Sequence, residues 1–305
     1  MVSKKRIEEA LSKVALFMLL LIVTPSLLTG EERGTLSSKP PLFYNSQLLF
    51  YPQFRFINSR LDKMYLIQAN LNPTLHLPLW RGGELTAQVI IPLYNEYAVE
   101  DSRVRPGFLT LSQRASLPAS IEMLLTAGHF SMERGGVDLK LFKALNRKFG
   151  LYGQIGATFW LRPFFDRVYF NESIRVNWRI GANWLWESQN IVLNGNISQY
   201  LERDIALRGE VIRYFKNSAV GFYLQTLNYD GYSVNGGFFF AIDLPPRKRS
   251  KSNRFRVLPA SDFNLEYIAR PYPLRGKFYK TSPEESSSYN FFNNFLLKEE
   301  KNYYL

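Results

Sequence analysis

No cysteine occurs in the 305-residue chain, which excludes disulfide staples and thiolate metal sites. Histidine is almost as scarce, with His76 and His129 as the only two. That leaves little material for a His-rich metal centre or a nucleophilic triad, and neither Gly-x-Ser-x-Gly nor His-Glu-x-x-His is present. Past residue 23 no apolar run approaches the roughly 20 residues that a membrane-spanning helix needs. Disorder is excluded by 46% hydrophobic and 15% aromatic residues. A mean hydropathy of −0.18 is low for a helical membrane protein, but it suits a sheet in which only alternate side chains meet lipid.

At the N-terminus, Lys4, Lys5 and Arg6 precede an uncharged apolar run from Val14 to Val23, followed by Pro25 and Ser26. This is the pattern of a secretory signal peptide, and its apolar run is about half the length of a membrane-spanning helix. Residues 1–30 are assigned to the signal, with cleavage after Ser26 or Gly30. A net charge of +12 favours anionic partners such as lipopolysaccharide or acidic polysaccharide, and export argues against nucleic acid.

From about Phe43 to Ile242 the chain alternates apolar with polar residues. In Arg175 to Glu187, Val176, Trp178, Ile180, Ala182, Trp184 and Trp186 alternate with Arg175, Asn177, Arg179, Gly181 and Asn183. Side chains alternate across a strand, so one face carries three tryptophans and the other carries charge and amide, whereas a helix would mix them. Leu151, Ile155, Ala157, Phe159 and Leu161 form another stripe, as do Leu85, Ala87, Val89, Ile91 and Leu93. Turn signals separate the stretches at Arg81-Gly82-Gly83, Arg134-Gly135-Gly136, Lys148-Phe149-Gly150, Ser188-Gln189-Asn190, Arg203-Asp204, Lys216-Asn217-Ser218 and Tyr229-Asp230-Gly231.

This spacing predicts an all-β fold, an antiparallel transmembrane β-barrel of roughly 12 strands over residues 31–242, set in a bacterial outer membrane among its lipids and lipopolysaccharide. The predicted strands of about 10 to 14 residues exceed those of ordinary soluble sheets, at about 5 to 6, and match a tilted membrane strand. Tyr94, Tyr97, Trp160, Tyr169, Phe170, Tyr200, Tyr214, Phe215, Tyr229 and Tyr232 are placed to form interfacial girdles. A soluble exported sandwich with the apolar face as its core is the alternative. Past Ile242, Pro245-Pro246 leads into Arg247, Lys248, Arg249, Lys251, Arg254 and Arg256, so residues 243–305 read as an irregular basic periplasmic tail, a solvated linker or a contact for an acidic glycan or partner.

Candidate binding residues lie on the polar faces: Arg175, Asn177, Arg179 and Asn183 beside Asn194, Asn196, Ser198 and Glu202, then Arg208 and Glu210, with Arg247, Lys248 and Arg249 in the tail. Amides, guanidinium groups and carboxylates in a wet interior can hydrogen-bond hydrated sugars, although any barrel fills its interior with such residues. No catalytic site, metal or cofactor is assigned. The one catalytic alternative is His129 with Ser131, two apart on one strand face and similar to the His-x-Ser pair of outer-membrane lipid deacylases, with Glu133 or Glu122 to orient the ring. Two charged groups, Glu96 to Arg105 and Arg162 to Arg167, are expected in loops.

The stretches Phe50-Tyr51-Pro52-Gln53-Phe54-Arg55-Phe56, Ile91-Pro92-Leu93-Tyr94-Asn95-Glu96-Tyr97 and Val104-Arg105-Pro106-Gly107, with Gly128-His129-Phe130, Arg134 to Asp138 and Phe238 to Pro246, resemble the YjbH-type (GfcD-like) outer-membrane proteins found with exopolysaccharide and capsule operons. That resemblance implies a non-enzymatic barrel assisting production or export of an extracellular polysaccharide, with the polysaccharide and periplasmic export components as partners. The other functions to weigh are a lipid-modifying hydrolase and a soluble glycan-binding protein.

Overall fold

The computed structural model describes residues 46–57, 66–96, 99–216, 218–228, 231–244, 255–260, 262–268 and 276–285. Its strands are β1 (Ser46–Ile57), β2 (Leu66–Trp80), β3 (Gly83–Asn95), β4 (Arg105–Leu117), β5 (Ile121–Phe130), β6 (Arg134–Ala144), β7 (Phe149–Pro163), β8 (Val168–Trp186), β9 (Ile191–Gln199), β10 (Ile205–Tyr214), β11 (Ser218–Asn228), β12 (Tyr232–Asp243), β13 (Phe255–Pro259) and β14 (Asp262–Ile268). All fourteen belong to one sheet, in the order β13-β1-β2 through β12-β14. Neighbours from β1 to β12 run antiparallel and in sequence order, as short turns dictate, while β13 lies parallel to β1.

The twelve strands expected before residue 243 are all present. The largest departure is β8, which begins at Val168 rather than Arg175. Polar Asn171, Glu172 and Ser173 hide that extension in the sequence, and after a register shift at Thr158/Trp160 it pairs with the end of β7. Arg134-Gly135-Gly136 is strand rather than turn: the chain reverses at residues 131–133, where Met132 and Glu133 are left-handed. Gly136 has φ +155° and sits opposite Gly128 at φ +140°. A Cβ on Gly136 would collide with the Ala157 carbonyl, so this glycine allows a strand kink and close approach.

Burial follows the alternation with an inverted sense. Along β2, Gln68, Asn70, Asn72, Thr74 and His76 are buried, and along β7 so are Tyr152, Gln154, Gly156 and Thr158, while Leu151, Ile155 and Ala157 face out. Asp138, Thr158 and Ser198 are 0% exposed, yet Ile180 is 65% and Phe222 61% exposed. The sheet is therefore curled around its polar face, with the apolar face outward. The enclosed side turns apolar towards the β8–β9 and β10–β11 turns, where Val192, Ile212, Ala219, Tyr223, Phe239 and Ala241 pack together.

The expected irregular tail from residue 243 is corrected in part. β13 pairs with β1, and β14 pairs with β12 and lies beside β1. Their short alternations, Phe255 and Val257 with Arg256, then Phe263, Leu265 and Tyr267 with polar neighbours, are obscured in sequence by the basic run before them. The sheet is not closed: among the described residues no hydrogen-bonded ladder joins β13 to β14 or β1 to β12. Tyr94, Tyr169, Phe215 and Tyr232 are exposed, whereas Tyr200 is not at a girdle position but is 1% exposed. It shares the inward parity of Asn194, Asn196 and Ser198. Residues 1–30, Tyr97, Tyr229 and Arg247 to Arg249 lie outside the described residues.

Candidate functional site

The enclosed face of β8 and β9 brings together the six strand residues singled out as binding candidates. Asn177 and Asn183 are each 1% exposed, Asn194 4% and Asn196 3%, all with inward parity. Arg175 is half-buried, donating from Nη1 to the Leu201 carbonyl at 2.6 Å and lying 3.1 Å from Glu202. Arg179 places its guanidinium 4.5 Å from the centre of the Phe278 ring, a cation–π contact.

A hydrogen-bonded chain continues to β10. The Tyr152 hydroxyl donates to Asn194 Oδ1 at 2.9 Å, Asn194 Nδ2 donates to Glu210 Oε2 at 2.9 Å, and Arg208 Nε pairs with Glu210 Oε1 at 2.6 Å. By contrast, both amide atoms of Asn177 and of Asn183, together with Arg179 Nε, are buried with no hydrogen-bonding partner among the described residues. Buried amides of this kind are ordinarily satisfied by ordered water or a polar ligand.

Into this side runs a short stretch without regular structure, Gly276–Glu285. Its Gly276 N–H donates to Asp204 Oδ2 at 2.6 Å, and Gln225 Nε2 donates to the Gly276 carbonyl at 3.3 Å. Two bonds clamp it to the β5–β6 turn: Lys280 N–H donates to Ser131 Oγ at 2.7 Å, and Ser131 N–H donates to the Lys280 carbonyl at 3.0 Å. Tyr279 stacks on Phe130 with centroids 5.3 Å apart, and its hydroxyl donates to Asp138 Oδ2 at 2.7 Å, beside Gln154 Nε2 at 2.9 Å. Lys140, 2% exposed, donates to Thr281 Oγ1 at 2.7 Å and forms an ion pair with Glu285.

Burial alone would raise the Glu285 carboxyl. The Lys140 ammonium and the Thr281 hydroxyl and N–H outweigh it and hold the group below the usual carboxylate range. The Tyr279 hydroxyl is pushed up, first by burial and then by the Asp138 charge, and so remains a donor. Asp138, Lys140, Gly156, Tyr279, Thr281 and Glu285 were not among the candidate site residues read from sequence. The alternation of Arg134, Asp138 and Lys140 was the available signal for the strand side. Nothing local marks residues 276–285 as returning to the sheet interior.

His129 and Ser131 are placed apart in role. Nδ1 of His129 faces the Gly107 carbonyl at 2.5 Å and Nε2 faces the Leu161 carbonyl at 3.2 Å, so both ring nitrogens meet acceptors. Ser131 Oγ instead receives the Lys280 N–H. The two charged groups expected in loops do meet, although Arg105 opens β4 and Arg162 lies in β7: Arg162 contacts Asp101 at 3.1 Å and Glu133 at 2.9 Å, and Arg105 reaches Asp101 at 3.2 Å. Among the described residues no cluster of three or more His, Asp or Glu side chains is arranged to hold a metal ion. No family model, no curated protein and no solved structure matches the chain.

Proposed function

We propose that the protein is a non-enzymatic outer-membrane β-barrel that assists production or export of an exopolysaccharide. The observation that carries the membrane part is the inverted sheet, polar on its enclosed side and apolar outside. Along β8 the outward positions Ile174, Val176, Trp178, Ile180, Ala182, Trp184 and Trp186 are all apolar. Those twelve residue steps span about 40 Å along the strand, or about 28 Å along the normal at a tilt of about 45°, close to the apolar band of about 25 Å on such barrels. A soluble sandwich would bury that face instead.

The polysaccharide part is supported by the amide- and guanidinium-lined interior and by the YjbH-type resemblance of residues 50–56, 91–97 and 104–107. The engagement of His129 with two carbonyls and of Ser131 with Lys280 speaks against a lipid hydrolase.

Heat-modifiable gel mobility and detergent-dependent extraction from outer membranes test the location; a freely soluble monomer without detergent refutes it. For the role, deletion of the gene should trap or deplete the extracellular polysaccharide, and wild-type chain should restore it. Lipid deacylation that is lost in Ser131→Ala would replace this function with the hydrolase.

A further inference from the structure

The stretch Gly276–Glu285 is held as a ligand is held, by side-chain anchors and two turn contacts rather than by a strand ladder. Each anchor has a chemical type. Glu285 sets a carboxylate against Lys140, Thr281 and Tyr279 set hydroxyls against Lys140 and Asp138, and Phe278 sets a flat face against Arg179. Around these contacts the enclosed wall has polar capacity to spare, in the Asn177 and Asn183 amides and in the second oxygens, Oδ1, of Asp138 and Asp204, none of which has a hydrogen-bonding partner among the described residues. A chain that carries carboxylates and many hydroxyls would offer the carboxylate and hydroxyl groups that these anchors use: an acidic, polyhydroxylated glycan.

We propose that the enclosed surface centred on Lys140 is a binding site for a carboxylate-bearing glycan, and that Gly276–Glu285 occupies it in cis as an internal stand-in. The site rests on the membrane-barrel function above and narrows its ligand to an acidic one. Lys140 discriminates. Without Glu285 the buried Lys140 ammonium loses the carboxylate it is ion-paired with, and a neutral sugar supplies none in its place. Displacement needs no backbone rearrangement of the sheet, because no strand of the sheet includes residues 276–285.

The test uses the full chain in detergent or nanodiscs, with a galacturonate oligomer as acidic probe and a malto-oligosaccharide of equal length as neutral control. Gly156→Ala loosens the stretch, since its Cβ would fall on the Tyr279 hydroxyl, and Glu285→Gln removes the carboxylate. A cysteine at Ser282 in this cysteine-free chain reports release by its thiol reactivity. In the double variant we expect thiol reactivity to rise at least tenfold and galacturonate affinity to rise about tenfold or more. Malto-oligosaccharide binding should stay flat, and Lys140→Met should abolish the acidic gain. A released stretch with unchanged galacturonate affinity, equal gains for both probes, or a thiol that stays unreactive in the double variant each overturns the site. Heat-modifiable mobility is followed in every variant, so loss of the barrel itself reads out separately.

Discussion

Arginine in place of Ile180 is the sharpest test of the inverted sheet. Ile180 is 65% exposed, lies midway along the outward apolar row of β8, and faces Gly153 on β7 and Ile197 on β9 across the ladders. If that row faces lipid, the guanidinium enters hydrocarbon near the bilayer centre, at a cost of about 2–4 kcal/mol. At about 1.4 kcal/mol per factor of ten, the folded-to-unfolded ratio falls roughly 30- to 1,000-fold. Trp186 supplies the internal control. Six residues further on, it is about 20 Å along the strand and about 14 Å along the normal, which places it at the interface, where the same charge costs about 0–1 kcal/mol. Reversible urea unfolding in phospholipid vesicles, followed by tryptophan fluorescence, measures both variants. If water bathes that face, Ile180→Arg is a surface change within about ±0.5 kcal/mol. Equal, near-zero effects at both positions would refute the membrane orientation.

Gly136→Ala should destabilise the chain by at least about 1–3 kcal/mol, because its φ of +155° is unfavourable for alanine and the new Cβ meets the Ala157 carbonyl; a neutral urea midpoint would show that the kink relaxes freely. Docking of residues 276–285 should depend on pH through Glu285. Its carboxyl lies below its ordinary value in the folded chain, so its contribution is complete above the ordinary value near 4.5 and fades as pH falls through the depressed one. A thiol at Ser282 should therefore become reactive to dithiodipyridine only in acid, and the Glu285→Gln variant should lose that dependence. Arg162→Ala releases both Asp101 and Glu133 at a partly exposed site, so global stability should fall by less than about 1 kcal/mol, while hydrogen exchange at residues 99–104 and 131–133 quickens.

Where period-two alternation was strong, the strand and the division of its residues between two faces were legible: Val176 to Trp186 forms one row and Asn177 to Asn183 the other, and burial shows the second to face inward. Tyr200 was legible too, since its parity with Asn194, Asn196 and Ser198 places it inside, against the girdle position that its location near a strand end suggested. Gly135-Gly136 misled because glycine marks a turn and a strand kink alike, and only the pairing with Gly128 separates them. The contacts of residues 276–285 were not legible. They join Tyr279 to Asp138 and Glu285 to Lys140 across more than a hundred residues, and no local periodicity encodes such a pairing.

A stretch that served stability alone would be better built from apolar side chains, because a buried ion pair is often no more stable than well-packed hydrophobic groups of similar volume. Here the central anchors are Lys140 with Glu285 and Asp138 with Tyr279, while apolar packing gathers at the Phe278–Tyr279 end, against Phe130, Met132 and Leu201 and against Tyr200, Ala206 and Leu227. That division matters for exchange. An apolar plug could leave only by exposing an apolar wall, whereas a polar one can give way to any ligand that restores the same charges and hydroxyls. The polar anchors thus restrict what can replace the stretch to a hydrated molecule with an anionic group, and the Asn177 and Asn183 amides, without hydrogen-bonding partners among the described residues, leave that molecule further bonds to make.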